Sequence, residues 1–185
     1  MIIGLTGRIA AGKGQIVNYL LGKGFNYTTI SNLVREEAAK RGIGITRENL
    51  QNLGNEVRKE EGANAWIKRL VSNIRENEEY IVDGIRNPAE VEELRKQKYF
   101  FLVSIDAPQK IRFERMLKRA KPSDPKTWQD FLIIDKRDFG EENPNGQQVG
   151  KCMGLADFTI VNDRSLEYLN KQIDAIYNKI SGSKK

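Results

Sequence analysis

The chain opens MIIGLTGRIAAGKGQIVNYLL, an apolar run that stops at Gly7 and is followed, at the spacing G-x-x-x-x-G-K, by Gly12 and Lys13. No other stretch restricts the fold so strongly. An apolar strand, a glycine-rich turn and an amphipathic helix in that order aim a helix N-terminus, with its unpaired amides, at an anion held beyond the strand's carboxyl end. Positions 7 and 12 lack a Cβ, so the backbone can approach a phosphate closely, and the Lys13 ammonium can follow a transferred phosphoryl group. The hydroxyl residue that usually follows such a lysine is missing. Gly14 stands there, with Gln15 after it.

The rest of the chain alternates apolar runs with helical patterns, which predicts a parallel sheet with helices on its faces. Five strands are expected, in IIGLT, NYTTI, YIVDG, YFFLVSID and DFTIVN. A first helix is expected from Lys13 to Lys23, closed by Gly24. Ser31 is expected to cap NLVREEAAKRG, and Thr46 to cap a longer helix with Asn49 three positions on. Residues 31–76 then read as helices without a strand, a helical flap over the carboxyl edge where open α/β sheets bind ligands. A helix from Pro108 to Arg119 should end at a proline-containing break, with a second starting near Asp124-Pro125. A Gly, Pro and Asn stretch follows from Gly140 to Gly150, and these parts together suggest a hinged lid. The last helix, Ser165 to Ile180, carries an apolar stripe through Leu166, Leu169, Ile173, Ile176 and Ile180.

With 185 residues the chain supports one well-buried core, so a single domain is expected. Its parts would be a core of residues 1–30, 77–119 and 151–180, the helical insertion 31–76 and the lid 120–150. No apolar run is long enough to span a bilayer, and the N-terminus lacks the basic leader and cleavage site of a secretory signal. Neither membrane nor export is expected, and a reducing cytoplasm suits the single cysteine, Cys152. Histidine is absent, so acid, base and metal work falls to carboxylates, lysine, hydroxyls and backbone. The net charge of +6 calls for an anionic partner without choosing between nucleic acid and phosphorylated small molecules.

The loop GRIAAGKGQ resembles that of the adenylate kinases, in which the lysine is followed by Gly and then usually Thr. The resemblance implies an α/β P-loop NTPase fold of three layers around a five-stranded parallel sheet. It also implies that Gly7, Arg8, Ala10, Ala11, Gly12, Lys13, Gly14 and Gln15 surround the phosphates of ATP. With Gln15 in place of threonine, Mg²⁺ is expected to be carried by phosphates, water and a carboxylate. TISNLVREE is similar to the segment where such kinases set an arginine on the acceptor phosphate, which implicates Ser31 and Arg35. IVDGIRNPAEV resembles their strand-end DG and following arginine, which puts Asp83 near the metal, through water, and Arg86 on the acceptor. A guanidinium fork matches phosphate oxygens without any family argument. In the lid the resemblance sets Arg119 beside the donor base and closes Arg115 and Arg137 over the phosphates. Arg112, Arg115 and Lys136 are as well explained as surface residues. In LGNEVRKEEG, Asn55 and Arg58 are candidates for the acceptor, although ordinary helix positions explain them equally well. Trp66 and Trp128 read as packing residues, and Cys152 as buried filler.

REEAAKRG, TRENLQNLGNEVR, DGIRNPAEVEELR and ADFTIVND extend the resemblance, up to about residue 180, to small P-loop kinases related to dephospho-CoA kinase and the nucleotide kinases. It implies transfer of the γ-phosphoryl group of ATP to a nucleoside or deoxynucleoside monophosphate. The partners would be a nucleotide donor and a phosphorylated acceptor, and the protein a monomer or homodimer. Dephospho-CoA kinase, with Asp83 as base toward a ribose hydroxyl, is one alternative. A nucleotide-sensing or nucleic-acid-binding module without transfer is another, disfavoured by the paired acceptor arginines and the lack of an aromatic-rich platform.

Overall fold

The computed structural model describes residues 1–75, 77–120, 124–140 and 145–182. In chain order it runs β1 (Ile2–Gly7), α1 (Lys13–Leu21), β2 (Asn26–Thr29), α2 (Ile30–Lys40), α3 (Arg47–Glu61), α4 (Ala65–Val71) and β3 (Tyr80–Asp83). There follow α5 (Pro88–Leu94), β4 (Phe100–Asp106), α6 (Gln109–Arg119), α7 (Trp128–Phe139), α8 (Val149–Gly154), β5 (Phe158–Val161) and α9 (Leu166–Gly182). The strands pair in parallel in the order β2-β3-β1-β4-β5. These are the five strands expected from the sequence.

The two-residue period of the strands divides the core in two. Ile3 and Leu5 pack with Ile81, Val103, Ile105 and Ile160 beneath α1 and α9, through Ile16, Leu20, Leu169 and Ile173. Ile2 faces the other way, with Val82 and Leu102, toward Val34, Leu53, Trp66, Leu94 and Cys152 of the remaining helices. The result is a three-layer α/β fold. Gly4 lies on that second face, where a Cβ would sit 2.7 Å from Ile85 and 2.8 Å from Phe100.

Several boundaries differ from expectation. The first helix ends at Leu21 with Gly22 as its C-cap, and Gly24, at φ +92°, belongs to the turn beyond it. Thr29, not Ser31, caps α2: its side chain accepts from the Ser31 amide, because the chain enters the helix directly from β2. Thr46 does cap α3, accepting from the Asn49 amide. The helix expected near Asp124-Pro125 begins at Trp128, where Thr127 is in extended conformation and its side chain accepts from the Asp130 amide. Part of the stretch after Gly140, and the break at residues 121–123, lie outside the described residues. From Val149 the chain forms α8, which the glycine-rich composition did not suggest. Trp66 is fully buried with its indole N–H donated to the Gly54 carbonyl, and Trp128 packs on Phe113 and Phe131. Burial and the nearby Glu90 push the Cys152 thiol up to about 12, so it stays protonated.

Candidate active site

The loop between β1 and α1 holds its shape through contacts that tolerate only glycine at two points. Gly7 has φ +143° and a Cβ there would meet the Ile105 carbonyl at 2.1 Å. Gly12, the residue before α1, has φ +114° and its Cβ would lie 2.2 Å from the Asn162 amide. Asn162 props the loop from β5, donating to the Ala11 carbonyl at 2.8 Å. Arg115 braces the same corner, donating to Ala11 at 3.1 Å and to Asn162 at 3.0 and 3.2 Å. Nothing crowds Gly14.

The Lys13 ammonium folds over this loop, donating to the carbonyls of Gly7 at 2.8 Å and Arg8 at 3.3 Å. Burial lowers it from 10.5 to about 8; Asp83 pulls it up, Arg86 pushes it down, and Asp138 and Arg119 act more weakly in the same opposed ways. A polyphosphate laid against it restores the charged form. Nucleotide binding between about pH 8 and pH 10 is therefore expected to take up a proton at Lys13. Calorimetry in buffers of different ionisation enthalpy checks this, and Lys13→Met should abolish the uptake.

At the carboxyl end of β3, Asp83 accepts from the Gly84 amide at 2.7 Å and from the Tyr27 hydroxyl at 3.4 Å. Gly84 turns the chain at φ +86°, and a Cβ there would press on Thr29. Arg86 follows, one guanidinium nitrogen donating to the Gln147 side-chain oxygen at 2.9 Å. Glu90 organises this turn from below: one carboxylate oxygen accepts the amides of Arg86 and Asn87, the other the Arg58 fork at 2.8 and 3.2 Å.

These parts share one cavity of about 1160 Å³. That exceeds the roughly 300–1,000 Å³ of a site for one small ligand and suits two side by side. Gly7 and the loop from Ile9 through Gln15, with Arg115, Arg119, Asp124, Asn162, Arg164 and Leu166, line one end. Tyr27, Ser31, Val34, Arg35, Leu50, Gln51, Arg58, Arg86, Gln147 and Val149 line the other, and Asp83 and Asp138 stand on the shared wall. Arg35 is exposed there, bonded to Ser31 and Asn32 of its own helix, and Arg119 holds Asp124 at 2.6 and 2.7 Å.

Three expected residues lie off this wall. The Arg8 side chain turns to α7, donating to Asp135 at 2.9 Å and lying 3.7 Å over the Phe139 ring. Asn55 points inward, its side-chain oxygen buried without a hydrogen-bond partner. Arg137 is exposed, because Asp135 and Asp138, three residues apart, occupy the buried face of α7. Arg112 is neither surface residue nor phosphate ligand: it is 1% exposed and clamps Asp135 at 2.5 and 2.8 Å. Burial alone would raise the Asp135 carboxyl, but Arg112, Gln109 and Arg8 hold it below the usual carboxylate range. Asn162, Asp138, Glu90 and Gln147 escaped the sequence reading. Two had a signal: Asn162 in the strand-end ADFTIVND, and Glu90 in the capping-box spacing of NPAE.

The family model that matches residues 3–139 is described as an AAA domain. A UPF0200 protein of Pyrococcus abyssi is 36% identical over 189 residues, covering 97% of each chain. Another, from Methanocaldococcus jannaschii, is 36% identical and covers 97% of this chain and 90% of its own. Among solved structures, TT1252 from Thermus thermophilus aligns with a TM-score of 0.58 at 18% identity, covering 97% of both chains. Shikimate kinase from Aquifex aeolicus aligns at 0.55 and 14%, covering 99% of this chain and 98% of its own. A gluconokinase from Sinorhizobium meliloti aligns at 0.56 and 16%, covering 98% and 93%. At such identities the likeness is one of fold.

Proposed function

We propose, from the premise that the chain belongs to the AAA domain family and to the UPF0200 proteins, that it is an ATP-dependent kinase whose acceptor is a nucleoside or deoxynucleoside monophosphate. One observation carries this reading: a single cavity joins the Gly12–Lys13 loop to a wall bearing Arg35 and Arg86. The loop amides would hold the donor's phosphates, with Arg119 and Leu166 beside its base. Arg86 and Arg35 would hold the acceptor phosphate, the apolar wall of Val34, Leu50 and Val149 its base. Lys13 would leave the loop carbonyls to meet the phosphoryl group in flight. Such catalysis is mostly positioning and charge neutralisation, and an ionised acceptor phosphate needs no strong base.

Asp83 fits a hydrated magnesium: it is half-buried on the cavity wall, with one oxygen steadied by the Gly84 amide. Among the described residues no group of three His, Cys, Asp or Glu side chains is placed to hold a metal, so outer-sphere contact through water suits this wall better than direct ligation. Magnesium, when bound, would neutralise charge on the donor's phosphates. The helices of residues 31–75 would serve as acceptor flap, and α7 with Gly146 and Gln147 as part of a lid.

A hydroxyl acceptor, as in dephospho-CoA kinase, is a second reading. It is favoured by the pair of carboxylates, Asp83 and Asp138, on the shared wall. A screen of nucleoside monophosphates, their deoxy forms and dephospho-CoA with radiolabelled ATP separates the two. Labelled diphosphates are expected, and turnover of dephospho-CoA alone would transfer the assignment to the second reading. For the productive acceptor, Arg86→Ala should raise KM about 10- to 100-fold, with KM for ATP little changed.

A further inference from the structure

Arg86 and Arg58 approach the same end of the cavity but are held in opposite ways. The Arg58 fork meets the Glu90 carboxylate, both side chains buried, so its charge is already compensated. Arg86 meets a neutral amide, that of Gln147, and keeps its positive charge for a ligand. The contact also dictates how that amide lies. A guanidinium only donates, so Gln147 must offer its oxygen to Arg86 and turn its –NH₂ the other way.

The backbone on both sides of Gln147 is tied to the Arg86–Asn87 turn. The Gln148 amide donates to the Arg86 carbonyl at 2.7 Å, and the buried Asn87 side chain donates to the Gly146 carbonyl at 3.0 Å. Gln147 is itself 8% exposed and lines the cavity. Its nitrogen has no partner among the described residues and is not sealed from the cavity. A donor that opens only onto the cavity from an otherwise buried side chain is placed to exchange cavity water for a ligand's oxygen.

We infer that Gln147 is a further acceptor-binding residue: its –NH₂ and the uncommitted nitrogens of Arg86 form one set of donors for the oxygens of a phosphomonoester. The inference rests on the kinase reading and names which residues read the acceptor's phosphate. A glutamate at 147 would satisfy Arg86 equally well, but it would cancel the charge the ligand needs and set a carboxylate against a dianion. The neutral amide does neither.

The test fills the donor end with β,γ-methylene-ATP and titrates inorganic phosphate into glutamine-¹⁵N-labelled protein. The Gln147 side-chain –NH₂ signal, assigned by its loss in Gln147→Glu, is expected to shift and saturate with phosphate. Gln147→Ala should weaken phosphate about tenfold, the loss of one charge-assisted hydrogen bond, and Gln147→Glu by more. Thermal unfolding of both variants checks that each is folded, and the wild-type shift stands apart from either. A Gln147 signal unmoved by phosphate, or a Gln147→Glu protein that binds phosphate as tightly as wild type, overturns the assignment and leaves the kinase reading in place. Failure of the analogue to bind overturns both.

Discussion

Lys13→Ala is expected to lower phosphoryl transfer about 10²- to 10³-fold, the scale seen when one preorganised donor is removed from a developing charge. The fold should survive. Lys13 is half-buried and its ammonium bonds only to two loop carbonyls at the edge of a cavity, where water can replace it. The side chains that hold the loop in place, Asn162 and Arg115, make no bond to it, and the turns at Gly7 and Gly12 are fixed by close backbone approach to Ile105 and Asn162. Single-turnover rates with the acceptor found by the screen, read beside a thermal melt, separate chemistry from folding. A rate within threefold of wild type in a protein that melts normally would exclude the loop lysine from the reaction.

Asp135→Ala should act on the fold instead, costing about 3–5 kcal/mol. Arg112 and Asp135 are 1% and 2% exposed, and deleting the carboxylate leaves a buried guanidinium with the Ala107 and Ile9 carbonyls and one longer ion pair, to Asp106 at 3.8 Å. The same deletion removes the ion pair from Arg8 to α7 and leaves that arginine its contact with the Phe139 ring and with Asp106. Urea unfolding gives the loss directly, and a loss under 1 kcal/mol sinks the account of this pair. Replacing both partners, Arg112→Met with Asp135→Leu, should recover much of it, since no buried charge is then orphaned. The pH dependence has a definite sign. Asp135 is held below its ordinary 3.8, so its contribution is complete above that pH and fades as pH falls through the lower folded value.

How much was legible in the residues follows from the range of the interactions concerned. Strands and most helices obey local patterns, and IIGLT, YIVDG and DFTIVN needed only their own apolar character to be placed. Boundaries failed where a contact from outside decided them. Thr29 caps α2 because β2 delivers the chain straight into the helix, and α8 forms where composition suggested only loop. The three arginines of α6 show the same limit more sharply. Arg112, Arg115 and Arg119 recur at spacings of three and four, and only resemblance set Arg115 by the phosphates and Arg119 by the donor base, with nothing to mark Arg112 as buried. Their partners make them different: a buried aspartate from α7, the carbonyl of the phosphate loop, and Asp124 at the cavity edge.

The residues alone therefore determined the parallel α/β core and the presence of a phosphate loop, because a strand, two spaced glycines and a lysine at a helix start act over a dozen contiguous positions. Which charges remain available to a ligand was decided only in three dimensions. Arg58 is neutralised by Glu90, 32 positions away, and Arg86 is steadied by an uncharged amide 61 positions away. No local pattern encodes that difference, since it depends on which side chain folding brings to each guanidinium.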